Sequence, residues 1–357
     1  MSEKQFYDGT KLLSLKDISG LQPEIYMCVG NRTAGKSYFF KRLLVRKFMN
    51  RDEKFALLVR FSYELDGIAE NFFKDLSQID FRGYSMESKP VAKGLFQELF
   101  IMSGTGKDAK RQHCGYAIAL NSADALKKYS ARFVDVDNMF FDEFMSETGK
   151  YTPDELTKFQ SVHVSIARGG GEHTRRVPVF MCSNSVTVLC PYYTVFGIHK
   201  RLTPETKYLR GDGWVLEQCY VETAARSIQS SGFGRAFADS DYMTYATDNK
   251  YLLDNDSFIE KVDGQGYLLC CLTANGKTVG VWEHDKKGLL YVNNKYDPSF
   301  PLNIVYQTDE HKPNLIMVRR SSRIAKYMKD MFEVGCVRFE DLECKNMVLD
   351  FLGYSVL

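Results

Sequence analysis

No C-x-x-C pair occurs in the sequence, although nine of its 357 residues are cysteine. Zinc ribbons and dithiol redox motifs need closely spaced pairs, so this spacing excludes both kinds of site from the expected functions. Several cysteines, such as Cys28 and Cys182, stand inside apolar runs, where a reduced and buried thiol is typical. The pattern favours a reducing compartment, and we expect the protein to work in a cytoplasm.

Long apolar runs are missing as well. No stretch approaches the roughly 20 apolar residues that a membrane-spanning helix requires. The first ten residues, MSEKQFYDGT, lack the apolar core of a secretory leader. The sequence therefore predicts neither a signal peptide nor a membrane partner.

The sequence has no excess of one charge, because 47 basic and 45 acidic residues leave a formal net charge of +2. A protein that coats nucleic acid through bulk charge is excluded by this balance. Local contacts to phosphates remain possible, so any DNA-binding hypothesis must rest on particular residues.

The chain is long enough for two or three domains. From residue 24 to about 190, short apolar runs alternate with helical stretches, which predicts a parallel α/β sheet in a first domain, 1–190. Strands are predicted at 24–30, 54–60, 138–144 and 177–183, with a helix at 37–50 and a hairpin-containing insertion between 81 and 120.

The remaining sequence divides into two further parts. Residues 191–250 are rich in Gly, Asp, Ser and Thr and sustain no strand pattern, which predicts a linker or small helical lid. Residues 251–357 are predicted to form a C-terminal α+β domain. Three antiparallel strands are expected within 266–292, with turns at Asn275–Gly276 and Lys287–Gly288, followed by helices near 321–334 and 340–352.

One segment matches the phosphate-binding pattern G-x-x-x-x-G-K-[ST] without a mismatch, directly between the predicted strand at 24–30 and the predicted helix at 37–50. Its glycines let backbone N–H groups turn toward phosphates, and the helix N-terminus adds a favourable potential for anions. We therefore expect ATP here, with Lys36 on the β- and γ-phosphates and the Ser37 hydroxyl in the Mg²⁺ shell. The predicted nucleotide-binding residues of the loop are Gly30, Asn31, Arg32, Thr33, Ala34, Gly35, Lys36 and Ser37.

Two carboxylates end the predicted strand NMFFDEF. Asp142 is expected to hold Mg²⁺, and Glu143 is expected to orient or deprotonate the attacking water. An Asp-Glu pair after an apolar run is a weak signal alone, but it gains weight from the phosphate loop upstream. The pair is typical of ATPases of the additional-strand class rather than of small GTPases.

Two more polar residues end predicted strands and are assigned to the nucleotide crevice. Asn184 follows VPVFMCS and would lie beside the γ-phosphate, although a helix N-cap is an equally good interpretation of a polar residue there. Arg60 ends the strand at 54–60 and would point into the same crevice, with a solvent-facing arginine as the alternative.

Beyond these motifs, the sequence resembles the genome-packaging ATPases of small podophages (the Picovirinae type), compact relatives of large terminase subunits. The resemblance spans most of the chain; its first two segments are common to many ATPases, and the later ones are more specific to the family. The segments are the phosphate loop, LVRFSYEL (58–65), NMFFDEF (138–144), CSNSVTVLCPYY (182–193), GFGR (232–235), TVGVWEHDKKGLLYVNNKYDPS (278–299) and VGCVRFED (334–341).

The resemblance implies a P-loop NTPase of the additional-strand (ASCE) class, followed by a C-terminal ribonuclease-H-like domain. It implies a homopentameric ring motor at the portal vertex of an empty bacteriophage capsid, in the cytoplasm of the bacterial host. Such a motor hydrolyses ATP to drive double-stranded DNA inward during viral genome packaging.

The resemblance also implies basic residues that act on the ATP of a neighbouring subunit. Arg168 matches the position of an arginine finger, with Arg175 and Arg176 as nearby rivals and a salt-bridged surface arginine as the alternative. Lys127 and Lys128 lie where the family places a second trans-acting cation. This doublet leaves the assignment between them open, and a solvated helix face is an equally good interpretation.

One departure from the family concerns DNA. In relatives a basic residue follows the LVR-type strand and is thought to face DNA, whereas this chain has Phe61, Ser62 and Tyr63 there. We therefore expect DNA contacts elsewhere, with the basic cluster Lys107, Lys110 and Arg111 as the hypothesis.

The C-terminal domain of large terminases is a nuclease, but this chain lacks an acid in the first strand of that domain, which reads YLLCCL (267–272). Two-metal cleavage needs clustered carboxylates. Glu283 and Asp285 occur on the next strand only. We predict a catalytically inactive domain that binds the capsid portal, DNA or a packaging RNA.

Two other functions are weighed against the packaging motor. A helicase, or a terminase with nuclease activity, would differ by preference for single strands or by cutting. A nucleotide-dependent ring adaptor would bind ATP with negligible turnover, but a pure switch would not need the carboxylate of Glu143.

Overall fold

The computed structural model describes residues 13–104, 110–168, 174–188, 190–202, 206–238, 240–248, 257–274, 276–319 and 321–353. The chain divides into two compact units, Met1–Leu252 and Leu253–Leu357, and each is built around its own sheet and core. None of the helices within the described ranges is long and apolar enough to cross a membrane.

The first unit is built on a nine-stranded sheet. Its strands are β1 (Ile25–Gly30), β2 (Lys54–Val59), β3 (Tyr84–Val91), β4 (Phe96–Ser103), β5 (Lys110–Ala119), β6 (Val136–Asp142), β7 (Val179–Asn184), β8 (Tyr208–Gly211) and β9 (Trp214–Cys219). Their order is β3-β4-β5-β2-β6-β7-β1-β9-β8, and the six strands from β5 to β9 in that order are parallel. The carboxyl ends of these six strands therefore lie at one edge, where α/β sheets bind ligands.

Helices cover both faces of this sheet. They are α1 (Lys36–Arg51), α2 (Ile68–Ile79), α3 (Ala123–Leu126), α4 (Glu155–Ala167), α5 (Pro191–Val195), α6 (Glu222–Ser230), α7 (Gly232–Ala236) and α8 (Asp241–Asp248). Successive side chains of β6 point to opposite faces. Phe140 packs toward α1, with its ring 6.1 Å from that of Phe40, while Phe141 packs toward α4 and α5, 6.5 Å from Phe159 and 6.0 Å from Tyr192.

Most predicted elements of this unit are present. The four strands predicted at 24–30, 54–60, 138–144 and 177–183 are β1, β2, β6 and β7, and the helix predicted at 37–50 is α1. The region 81–120 does contain the hairpin β4–β5, but β5 also pairs with β2 in parallel and so belongs to the main sheet. Gly115 permits this pairing, because a Cβ there would lie 1.8 Å from the carbonyl oxygen of Phe55.

The expectation that residues 191–250 contain no strand was wrong. β8 and β9 form a hairpin across a turn at Gly213, whose φ is +73°, and β9 pairs in parallel with β1. Residues 208–219 therefore extend the sheet that carries the phosphate loop. The helices of this region lie on either side of the hairpin, with α5 before β8 and α6, α7 and α8 after β9.

The second unit holds a six-stranded sheet with two helices. Its strands are β10 (Tyr267–Ala274), β11 (Lys277–His284), β12 (Leu289–Asn293), β13 (Asn303–Val305), β14 (Ile316–Met317) and β15 (Val337–Phe339), with α9 (Arg323–Glu333) and α10 (Leu342–Leu352). The order is β14-β13-β10-β11-β12-β15. β10, β11 and β12 are antiparallel, as predicted, whereas β13 runs parallel to β10 and β14 parallel to β13. This arrangement of the first five strands is that of a ribonuclease-H-like sheet.

The predicted turns of this unit fall at its two hairpins. Gly288 follows the short turn between β11 and β12 with φ +63°, a conformation that favours glycine. Gly276 has φ +72° between β10 and β11, and Asn275, the other half of that turn, lies outside the described residues.

Candidate nucleotide-binding and catalytic site

The loop between β1 and α1 has a shape that its glycines make possible. A Cβ on Gly30 would lie 2.0 Å from the carbonyl oxygen of Cys219 on the neighbouring strand β9, so the close approach of the two strands requires glycine. Gly35 has φ +83° at the N-cap of α1, and Thr33 has φ +58°. The loop therefore turns back on itself at the N-terminus of a 16-residue helix, a favourable position for an anion.

The ammonium group of Lys36 lies inside this loop. Only 5% of the residue is exposed, and its Nζ donates hydrogen bonds to the carbonyl oxygens of Gly30 (3.1 Å) and Asn31 (2.7 Å). Nζ also donates to Oδ1 of Asn184 at 3.2 Å, which brings the end of β7 to the loop. Lys36 and Asn184 are therefore in direct contact, and their assignment to a nucleotide stays a prediction.

The predicted magnesium ligands are also adjacent. The Ser37 hydroxyl donates to Oδ1 of Asp142 at 2.8 Å, and the Lys41 ammonium lies 3.6 Å from the other carboxylate oxygen. Within the described residues, no three His, Cys, Asp or Glu side chains form a metal cluster. An ion here would take its remaining oxygens from phosphates and water, which is how Mg²⁺ is usually bound in ATPases. The donor set therefore fits a Mg-nucleotide.

Glu143 directly follows β6 with φ +53°, a left-handed conformation that few non-glycine residues adopt. The residue as a whole is exposed to solvent. The pKa of Glu143 is raised above its ordinary value, because surrounding protein partly desolvates the group and the carboxylates of Asp142 and Glu147 repel its charge. A carboxyl with a raised pKa is better suited to accept a proton near neutral pH.

The other loop residues contact the segment that follows β9. The side chain of Asn31 is buried and exchanges two hydrogen bonds of 3.1 Å with the backbone of Val221, so this side chain is not available to a nucleotide. The N–H of Arg32 donates to the carbonyl of Ala246 in α8 at 3.2 Å. Ala34 is buried against the core. Two residues of the segment predicted to be a linker or lid, Val221 and Ala246, therefore hold the backbone of the loop.

The prediction that Arg60 points into the nucleotide crevice was wrong. Its guanidinium is buried and bonds Glu155 of α4 at 2.9 Å. It also donates to the carbonyls of Phe144 (2.8 Å) and, more weakly, Glu143 (3.5 Å). The cause is Glu155, a buried acid on α4, which attracts the guanidinium of Arg60 away from the phosphate loop. Arg60 holds the backbone that carries Glu143.

The three candidate finger arginines differ in their surroundings. Arg175 donates to the carbonyls of Phe133 and Ile166, and Arg176 donates to the carbonyl of Pro23 and lies 3.6 Å from Glu24. Both arginines stabilise this chain's own fold. Arg168, at the exposed C-terminal end of α4, has no hydrogen bond or ion pair to any other described residue.

The lysine doublet lies on an exposed turn after α3. Lys127 pairs with Asp124 at 3.2 Å, and both side chains are more than half exposed, so this pair is weak. Lys128 is exposed and has no ion pair to a described residue. The structure brings neither lysine to this chain's own phosphate loop.

The sequence is similar to known DNA packaging proteins along nearly its whole length. A family model described as Podovirus DNA encapsidation protein (Gp16) matches residues 1–355. The chain belongs to this family. A DNA packaging protein of Bacillus phage PZA is 26% identical over 356 residues, and that of Bacillus phage phi29 is 25% identical, with 98% of each chain covered in both comparisons.

Solved structures show the same fold as this member of the encapsidation family. A chain of the bacteriophage Phi-29 viral genome packaging motor assembly superposes with a TM-score of 0.67 at 24% identity, covering 98% of both chains. A chain of the Phi-28 gp11 DNA packaging motor gives 0.59 at 16% identity, with 97% of both covered. The two-unit fold is thus that of known packaging proteins.

The structure adds site residues that sequence reasoning missed. Cys182 donates its thiol to Oδ1 of Asp142 at 3.0 Å, and Glu147 pairs with Arg32 of the loop. Lys41 follows Ser37 by four residues on α1, so helical spacing could have identified it. Cys182 is opposite Asp142 in the β6–β7 register, which only the sheet order reveals.

Two predictions about nucleic acid stay predictions. Lys110 and Arg111 are exposed at the start of β5, whereas Lys107 lies outside the described residues. In the second unit Glu283 accepts a hydrogen bond from Tyr327, and Asp285 lies in the exposed turn before β12.

Proposed function

We propose that this member of the encapsidation family is an ATP-driven motor that translocates viral double-stranded DNA into a preformed capsid. The observation that carries the proposal is the hydrogen bond from Ser37 to Asp142, beside Lys36 in the phosphate loop. It joins a phosphate-binding residue to a metal-binding carboxylate across 105 positions of the chain. Membership of the encapsidation family supports DNA as the molecule that is moved. The geometry of the site supports ATP hydrolysis as the source of energy.

The residues of the site divide the work of ATP hydrolysis. Lys36 and the loop N–H groups bind phosphates, and Ser37 and Asp142 hold Mg²⁺, which neutralises charge on the phosphates when bound. Glu143 accepts a proton from the attacking water. Asn184, bonded to Lys36, is placed to respond to the terminal phosphate.

Each site in the proposed ring is completed by a neighbouring subunit. Arg168 is the proposed finger because it is exposed and unpaired among described residues, while Arg175 and Arg176 hold this chain's backbone carbonyls. The second cation comes from the doublet Lys127 and Lys128, with the ion pair to Asp124 favouring Lys128 as the more available group. We propose a homopentamer, seated on the capsid portal in the host cytoplasm.

We assign a separate role to each successive segment of the chain. Residues 1–190 with β8 and β9 form the ATPase, the rest of 191–250 is a helical segment against the phosphate loop, and 251–357 form a nuclease-like but inactive domain. The last domain is proposed to contact DNA, the portal or a packaging RNA. Its boundary is supported by the division of the chain after Leu252.

The test is steady-state ATP hydrolysis by the full chain, with long duplex DNA, with single-stranded DNA, and with empty capsids that carry a portal. We expect duplex DNA with capsids to stimulate turnover. Glu143→Gln should reduce turnover about 100-fold or more. Glu222→Gln is the matched control, because Glu222 is an exposed acid that forms an ion pair with Arg226 on its own helix.

Three results would contradict the proposal. Turnover unchanged by Glu143→Gln would remove Glu143 from the chemistry. Stimulation by single strands but not by duplex DNA would indicate a helicase. Nucleotide binding without turnover, even on capsids, would indicate a ring adaptor.

A further inference from the structure

Glu147 lies in the loop after β6 and contacts two residues that surround the phosphate loop. Its carboxylate forms an ion pair with the guanidinium of Arg32, and its Oε1 accepts a hydrogen bond from Nδ2 of Asn184 at 3.4 Å. Asn184 in turn accepts from Nζ of Lys36 at 3.2 Å. We call these four residues, Arg32, Lys36, Asn184 and Glu147, the Glu147 network.

The network joins one acid to three groups that also suit a phosphate. Arg32 and Lys36 belong to the phosphate loop itself, and Asn184 ends the strand beside it. A carboxylate and a terminal phosphate are both oxygen-rich anions, and both take charge-assisted hydrogen bonds from guanidinium and amide groups. Glu147 and a γ-phosphate therefore compete for the same donors.

The exposure of the Arg32–Glu147 ion pair indicates how easily a phosphate can replace the Glu147 carboxylate. The Arg32 and Glu147 side chains are 34% and 33% exposed, so solvent screens their attraction and separating them costs little. Arg32 has a second support, because its guanidinium lies 5.3 Å from the centre of the Tyr242 ring in α8. The arginine is therefore kept beside the loop whichever anion it binds.

We propose that Glu147 is a specificity-determining residue that competes with the γ-phosphate for Arg32 and Asn184, and so sets the relative affinity for ATP and ADP. A nucleotide that ends at the β-phosphate has no group to replace Glu147. ATP binding requires the exchange, whereas ADP binding does not. The inference rests on the proposed function, since it concerns the same nucleotide site.

The test is equilibrium binding to the full chain with Mg²⁺, using a fluorescent non-hydrolysable ATP analogue and a fluorescent ADP. Glu147→Gln keeps the size and hydrogen-bonding capacity of the side chain but removes the charge that competes with the phosphate. We expect it to tighten the ATP analogue by up to about fivefold, the upper end of what an exposed ion pair is worth, and to leave ADP within about twofold. Glu87→Gln, an exposed acid on β3 outside the network, is the matched control and should change neither affinity.

A second variant tests whether the effect acts through Arg32. In an Arg32→Ala background, adding Glu147→Gln should change the ATP-to-ADP affinity ratio much less than in the wild type, because only the long contact of Glu147 to Asn184 remains. Thermal unfolding of each variant, measured alongside, checks that the fold is retained.

The outcomes separate this inference from the proposed function. A wild-type chain that binds neither nucleotide overturns both. If both nucleotides bind and Glu147→Gln leaves the ratio of their affinities unchanged, only the proposed competition between Glu147 and the γ-phosphate is overturned. A loss of affinity for both would show that Glu147 supports the loop instead. Unchanged binding with abolished turnover would make Glu147 a catalytic group, which also contradicts the inference.

Discussion

Asp142 illustrates how individual residues fix the orientation of a proposed metal ligand. Its Oδ1 accepts hydrogen bonds from the Ser37 hydroxyl (2.8 Å), the Cys182 thiol (3.0 Å) and the N–H of Glu143 (3.2 Å). Burial and the adjacent carboxylate raise the pKa of Cys182 well above its usual range, so the thiol stays protonated and donates. Three donors on one oxygen leave the other oxygen, near Lys41, available for a metal ion.

Glu217 on β9 is a residue whose ionisation should limit stability. Its Oε1 is buried without a hydrogen-bond partner among the described residues, and burial raises the pKa of Glu217 to about 7. A raised acid pKa favours the folded state at low pH, and this contribution is lost as the pH rises through about 7. Below the unfolded value of about 4.3, the group is protonated in both states.

We therefore expect Glu217→Gln to stabilise the first unit at pH 8, by on the order of 2 kcal/mol. The advantage of the variant should shrink toward zero at pH 4.5. Denaturant unfolding of both proteins across this pH range is the measurement. An advantage that is constant with pH would show that the glutamine improves packing rather than removing a buried charge.

At the scale of elements, the Arg60–Glu155 pair joins the end of β2 to the start of α4. Glu155 also accepts hydrogen bonds from the Tyr192 hydroxyl (3.0 Å) and the Thr152 N–H (2.9 Å). The guanidinium of Arg60 lies 4.9 Å from the centre of the Tyr151 ring. The pair thus connects the sheet to α4, and the same arginine contacts the backbone of Glu143.

Arg60→Ala should destabilise the first unit by about 3 kcal/mol, because it leaves the Glu155 charge buried without its partner. Turnover should fall as well, since the backbone of Glu143 loses its support. Arg51→Ala, at a side chain that is 72% exposed, is the control and should change stability by about 0.5 kcal/mol or less. Equal stabilities for the two variants in urea unfolding would contradict this role of Arg60.

Local patterns predicted part of the site and of the fold. The phosphate loop, Asp142 and Glu143 could be proposed as one site because each stands in a short motif at the end of an apolar strand, and the structure brings Ser37 to Asp142. Arg60 was misplaced because a strand end gives the edge of the sheet but not the direction of a side chain, which here depends on an acid 95 residues away. β8 and β9 were missed although Asp212–Gly213 between them is a recognised hairpin signal.

At the scale of the whole molecule, the proposed trans finger can be tested by mixing inactive subunits. Glu143→Gln lacks the base but keeps Arg168, and Arg168→Ala keeps the base. In a mixed ring, roughly a quarter of the interfaces would combine an intact base with an intact arginine from its neighbour. We expect each variant alone to be inactive and the mixture to regain DNA-stimulated turnover on capsids.

Recovery should depend on the mixing ratio and be greatest near equal amounts. Mixing Glu143→Gln with Lys36→Ala is the matched control, because both defects lie in the same site and no interface regains it. The same lack of recovery with Arg168→Ala would place the arginine within its own subunit's chemistry or outside it altogether.

The position of β1 has a consequence for how the protein is made. β1 lies between β7 and β9, so its two neighbours come from much later parts of the chain. A nascent chain that ends before residue 208 would leave β1 with one side unpaired, and the phosphate loop would lack the strand that packs against Gly30. The proposed nucleotide site can therefore assume its final form only after β9 has left the ribosome, so we expect a nascent chain to acquire any ATP binding only at that stage of synthesis.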